Sequence, residues 1–441
     1  MSLYQLERER DVAELVETLQ RSDDPAIRRR AAEVIGGLFE NEDVDDSELR
    51  IADESTDELG LGLPDGEGSD RETVIDVLVR TVKDDDSQDV RAAAIDALDQ
   101  HSQQSLERVI DELSEEDLRS AADWVAAKAF ARVLDDDQPE LRMAAATGLG
   151  RVGDPSVTAA LVKRLSDPDS RVRERSAVAC GRIGDPRAVG ELRSRLGGDP
   201  NIDVRAAAAE ALGEIGTESA LSVLSAAAAD DSESVRRVIA DALGKFGSVE
   251  PVDVLVGYLE DDSETVRRTA IFSVVEILSN APAQKSHDVR QTAADRLGSA
   301  TADEVIPPLA EILSESSGAP QRRNAAWLLG RVAGTEYGST AREALLDALG
   351  DDDGMTAQFA ATSLAELEGP ELESDLLELV RDGEADSEAR SKALFVLGKI
   401  GGDAARSELG EFVDRTDDDS LREGAFSALS KLGGIGGGDG P

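Results

Sequence analysis

The stretch DVRAAAAEALGEIG, residues 203–216, decides how the rest of the chain is read. Val204, Ala208, Ala211, Leu212 and Ile215 fall at i, i+4, i+7, i+8 and i+11, which is a single apolar stripe on a helix. Gly213 and Gly216 follow as the expected stop. The same fourteen positions return as ELRMAAATGLGRVG (140–153), RVRERSAVACGRIG (171–184), SVRRVIADALGKFG (234–247) and TVRRTAIFSVVEIL (265–278). One arginine keeps the register: Arg142, Arg173, Arg205, Arg236 and Arg267, spaced 31 or 32 apart. Looser matches carry Arg28, Arg91, Arg290, Arg322, Arg390 and Arg422, and Ala357 stands where one further arginine is expected.

A second helix precedes each of these, as in DPSVTAALVKRLSDP (154–168), where Asp154 is placed to cap and Pro155 suits the first helical position. Each unit is therefore two antiparallel helices. A lone pair cannot bury its stripe, so neighbouring pairs must stack into an all-α solenoid. The pattern GDPxxxxxLxxxLxDxxxxVRxxAAxALGxIG resembles the HEAT repeats of the bilin-lyase-like (E-Z) type. The resemblance is specific in residues 135–280 and looser in 1–39, 71–134 and 281–433. Spacings of 23, from Arg119 to Arg142 and from Arg267 to Arg290, leave no room for a complete first helix. Residues 40–70 hold 13 acids and one arginine and read as a mobile acidic insertion, and 434–441 as a disordered glycine-rich tail.

The chain has 441 residues, with 93 acidic against 47 basic and a formal net charge of −46. Only eight residues are lysine. This composition resembles that of proteins from salt-loving archaea, where a Debye length of about 3 Å at 1 M salt screens self-repulsion. It argues against nucleic acid as a partner, because phosphate contacts need a basic surface. No run is long and apolar enough for a membrane span, and MSLYQLERERDVAEL lacks a signal core, so a cytoplasmic location is expected.

Catalytic patterns are sparse. His101 and His287 each lack a histidine partner at i+4, and no metal, nucleotide or hydrolase motif occurs. No catalytic residue, metal or cofactor is expected. Acidic runs such as Asp84-Asp85-Asp86 and Asp351-Asp352-Asp353 lack calcium-loop spacing and read as solvated caps. The register arginines Arg142, Arg173, Arg205, Arg236 and Arg267 are expected to form a structural ladder between repeats. Arg151, Arg182, Lys245, Arg331 and Lys399 fall at helix C-termini, where cations meet the dipole. Cys180 aligns with the core leucines Leu149, Leu212 and Leu243 and should be inert.

Two features exceed the scaffold. Residues 142–195 carry 11 basic and six acidic groups, and Arg171 and Arg175 share a helix flank with Arg182. Arg171 and Arg175 read either as locally balanced ladder charges or, more sharply, as a docking patch for an acidic partner or for the chain's own acidic insertion. Five positions after the register arginine, where most repeats are polar or small, stand Trp124, Phe272, Trp327 and Phe395. They are either candidate partner anchors on the solenoid's inner surface or positions that irregular neighbours cover; cover is the expectation for Trp124 and Phe272 beside the short spacings, and Trp327 stays open between the two. The expected function is a non-catalytic scaffold or adaptor for one or more cytoplasmic proteins, with partner identity and oligomeric state left open. The resemblance implies two further readings: a taxis-signalling adaptor coupled to the archaeal motility apparatus, and a bilin-lyase-like enzyme or enzyme subunit.

Overall fold

The computed structural model describes residues 6, 8, 11–38, 70–101, 105, 106, 108, 123–332, 338–367 and 370–433. Among them every regular element is helical, so the chain is an all-α repeat fold. Most of the expected acidic insertion, residues 40–69, and the tail 434–441 lie outside the described residues. The chain divides into two units, Met1–Val223 and Leu224–Pro441.

The first unit contains α1 (Val12–Arg21), α2 (Pro25–Leu38), α3 (Asp70–Asp84), α4 (Gln88–His101), α5 (Asp123–Val133), α6 (Pro139–Val152), α7 (Thr158–Arg164), α8 (Ser170–Ile183), α9 (Val189–Gly198) and α10 (Ile202–Ile215). Helix α11 (Glu218–Ala226) spans the division. The second unit contains α12 (Glu233–Gly244), α13 (Val252–Gly257), α14 (Glu264–Asn280), α15 (Ser286–Leu297), α16 (Ala302–Glu315), α17 (Ala319–Val332), α18 (Gly338–Asp347), α19 (Gly354–Leu364), α20 (Pro370–Arg381), α21 (Ser387–Ile400), α22 (Asp403–Arg415) and α23 (Asp419–Lys431).

Local sequence sets the helix ends. Asp169 accepts from the Arg171 amide ahead of α8, and Asn201 from Asp203 and Val204 ahead of α10. Gly153, Gly184 and Gly216 adopt φ of 69°, 70° and 63°, the left-handed cap that favours glycine. Gly213, expected to help stop its helix, instead lies inside α10. The equivalent glycines in neighbouring helices explain why. A Cβ on Gly150 would lie 2.8 Å from the Ala179 Cα, and one on Gly181 2.8 Å from the Ala211 Cα. These glycines let consecutive second helices approach backbone to backbone. Helices α7 and α9 begin with a 3-10 turn, so Pro155 opens the turn and the α-helix proper starts at Thr158.

Each register arginine bonds within its own repeat. Its guanidinium donates back to a carbonyl in its own inter-helix turn: Arg142 to Asp136, Arg173 to Asp167, Arg205 to Asp199, Arg236 to Asp230 and Arg267 to Asp261. The offset is six residues each time. Arg142, Arg173 and Arg236 also grip a carboxylate of the following turn with two bonds each: Asp167, Asp199 and Asp261. Arg28 and Arg322 do the same with Asp85 and Asp351. One aspartate thus gives its carboxylate to the preceding arginine and its carbonyl to its own.

The two short spacings have different outcomes. Arg119 lies outside the described residues, and α5 supplies a helix that pairs with α6. In the second unit α14 is 17 residues long and α15 follows as an inserted helix. Arg267 reaches past it to Glu304, the second residue after Ala302 in α16.

Candidate functional site

The arginine-rich flank of α8 lines a concave site of about 640 Å³ in the first unit, bounded by α2, α4, α8 and the start of α10. The site holds Arg29, Arg171 and Arg175 among Glu33, Asp89, Asp96, Asp169, Glu174 and Asp203. Arg171 donates to Asp169 and to the Gln88 carbonyl, 83 residues away, at 2.8 Å. Arg175 pairs with Glu174 at 3.0 Å and with Asp96 of α4. Arg182 reaches Asp99 at 3.1 Å, and Arg151 of α6 meets the same carboxylate at 3.0 Å.

Three arginines on one flank of α8 are thus tied to Gln88, Asp96 and Asp99 on one flank of α4. Helix α6 runs beneath this brace, and all its residues from Glu140 to Gly150 are buried. Arg171 and Arg175, candidates for docking an acidic partner, are both paired within the chain. Their charge is met inside the chain by Asp169, Asp96 and Glu174, and neither presents a free guanidinium. Burial lifts the Asp96 carboxyl to about 6, against the pull of Arg175. Arg182, expected at a helix end for its dipole, has a specific carboxylate partner in Asp99.

Cys180 is fully buried, and burial raises its thiol to about 12. His101 ends α4 in the first unit and His287 lies in the first turn of α15 in the second. Among the described residues no group of three or more histidine, cysteine or acidic side chains could hold a metal ion.

The aromatic positions diverge. Trp124 falls in α5, and its side chain lies outside the described residues. Trp327, left open between anchor and covered position, is 8% exposed. The Arg331 guanidinium, one turn on, covers its ring at 3.9 Å and pairs with Glu366 at 3.3 Å. Phe272 is 39% exposed and borders a shallow groove with Arg237, Asp241, Glu264 and Arg268. The Arg268 guanidinium lies 5.6 Å from its ring centroid and pairs with Glu311. Phe395 is half-buried, with the Lys399 and Lys431 ammoniums 4.8 and 5.1 Å from its centroid. Covering cations at i+4 or i−4 were a sequence signal that exposure reasoning overlooked.

A family model described as HEAT repeats matches residues 126–199, 191–276 and 342–430. The chain is 45% identical to the HEAT repeat-containing taxis protein of Halobacterium salinarum over 465 aligned positions, covering 98% of this chain and 99% of that one. An engineered protein solved by the Northeast Structural Genomics Consortium is similar at 19% identity and TM-score 0.39, covering 96% of this chain and 99% of its own. The complex of CpcE and CpcF of phycocyanin lyase from Nostoc sp. is similar at 17% identity and TM-score 0.32, covering 69% and 94%. At those TM-scores the two solved structures carry no argument.

Proposed function

The chain belongs to the HEAT-repeat family, and on that premise we propose that it is a non-catalytic scaffold that binds other proteins in a taxis system. The observation that carries this reading is the near full-length relationship to the Halobacterium taxis protein. Repeat architecture supports the scaffold half, because stacked helix pairs offer a long surface built from short units. In its finer form, the protein couples taxis signalling to the motility apparatus. The extreme negative charge suits work in concentrated salt, where only contact-range pairs persist.

Co-purification tests the proposal. A tagged copy of this chain, expressed in Halobacterium salinarum lacking its own relative, is recovered at the cell's salt concentration. Taxis and motility proteins enriched over a tag-only control support the reading. Enrichment of proteins unrelated to taxis, or none at all from a folded chain, contradicts it.

A further inference from the structure

An aromatic side chain carrying a cation recurs on three second helices of the second unit. On α17 the Arg331 guanidinium covers Trp327 and pairs with Glu366. On α14 the Arg268 guanidinium lies over Phe272 and pairs with Glu311. In both, the chain itself supplies the carboxylate that completes an aromatic–cation–anion set. On α21 the set is composed differently. Phe395 carries two cations, Lys399 from its own helix and Lys431 from α23. Among the described residues, neither ammonium has a carboxylate partner.

That arrangement is unusual for this chain, which has 93 acidic residues and only eight lysines. Packing brings the two lysine-bearing helices together. A Cβ on Gly398 would stand 3.0 Å from the Ala428 Cα, so α21 and α23 are closely apposed and Lys431 passes beside Gly398. Each ammonium has three donors and no acceptor, and a ring face uses only part of that capacity. Both lysines are exposed, so the remaining donors face outward beside a half-buried phenyl ring.

We propose that Lys399, Lys431 and Phe395 form a docking point for an acidic segment of a partner protein, with partner carboxylates received by the two ammoniums and a neighbouring apolar side chain resting beside the ring. The proposal rests on the scaffold reading and names the chemistry of the partner. Charge complementarity selects the occupant: two cations on an acidic chain suit a short acidic segment, whereas a nucleic acid needs a row of phosphate contacts. Contact-range charge pairs with an apolar floor also survive concentrated salt, where longer-range attraction is screened.

The test uses the full-length chain in about 1 M potassium chloride and a fluorescein-labelled peptide of alternating glutamate and leucine, read by anisotropy. Saturable binding is expected, weakened about tenfold in a K399A/K431A double variant with unchanged circular dichroism. R331A, at a set that the chain already completes, should bind the peptide like the wild type. The proposal is overturned if the double variant binds as well as the wild type, or if the wild type binds no peptide. It is also overturned if polyphosphate or oligodeoxythymidine binds better than the acidic peptide. A chain that captures taxis proteins but ignores the peptide removes this docking point and leaves the scaffold reading standing. Peptide binding through the two lysines without taxis partners does the reverse.

Discussion

Arg173 and Asp199, 26 residues apart, meet through two charge-assisted hydrogen bonds of 2.8 Å each, and the Asp199 side chain is fully buried. The same carboxylate accepts from the Asn201 amide at 3.1 Å, and the Asp199 carbonyl accepts from Arg205. A single residue therefore joins two repeats and shapes the turn between two helices. Asp199→Ala should destabilise the protein by about 3 kcal/mol, because it leaves a buried guanidinium unpaired. By contrast, Glu411→Ala breaks an exposed pair with Arg415 and should change stability by less than about 1 kcal/mol. Urea unfolding at fixed salt measures both.

The glycines divide in the same way. Gly181→Ala would push a methyl group against the Ala211 backbone and should destabilise by about 1–3 kcal/mol. Gly410 lies within α22 and a Cβ there meets nothing within 4 Å. Gly410→Ala should stabilise by about 0.5–1 kcal/mol through helix propensity alone. Thermal unfolding of the two variants should move in opposite directions.

Stability should depend on pH in two opposing ways. Burial pushes the Asp199 carboxyl up, but Arg173 and the Asn201 amide outweigh it and leave the group below its ordinary value. A depressed carboxyl contributes stability above its unfolded pKa of about 3.9, and this is lost as pH falls through the folded value. Asp96 has the opposite sign. Burial and the nearby charges of Glu174 and Asp99 lift it to about 6 despite Arg175. Its ionised form opposes folding above about pH 6, and that penalty fades toward about pH 4. Unfolding free energy should therefore fall below pH 4, with only a small rise from pH 7 to pH 5, because the Asp96 side chain is 38% exposed and solvent screens its charge. Asp96→Asn should flatten the first limb and Asp199→Asn the second.

Cys180 should resist chemistry while the fold holds. A thiol with no exposure and a pKa of about 12 is almost wholly protonated at neutral pH. A thiol reagent should modify the native chain no faster than it unfolds, with one equivalent reacting on denaturation. Rapid modification of the native chain would place Cys180 outside the core.

The repeat was legible because its signal is local. A helix stripe, a register arginine and a left-handed glycine are each set within one helix pair, as residues 203–216 illustrate. Cross-repeat geometry was less legible. Nothing near Arg171 or Arg175 in sequence reveals Gln88 and Asp96, which lie 83 and 79 residues away. The flank read as uncovered positive charge because Asp96 and Asp99 are far from it in sequence, although Asp169 and Glu174 stand beside the two arginines. Gly213 read as a stop because helix-helix approach leaves no trace in a single helix. Trp327 read as an open question although Arg331 stood one turn away, a spacing that places a cation over the ring.

The central claim is that this HEAT-repeat chain serves taxis by binding proteins. Complementation tests it most directly. Halobacterium salinarum cells lacking the relative are given this chain, and their directed response to light or attractant is recorded by cell tracking. The account expects the response to return with the wild-type chain and to be lost with Asp199→Ala if that variant fails to accumulate as folded protein. A folded, abundant wild-type chain that leaves the response unchanged would contradict it.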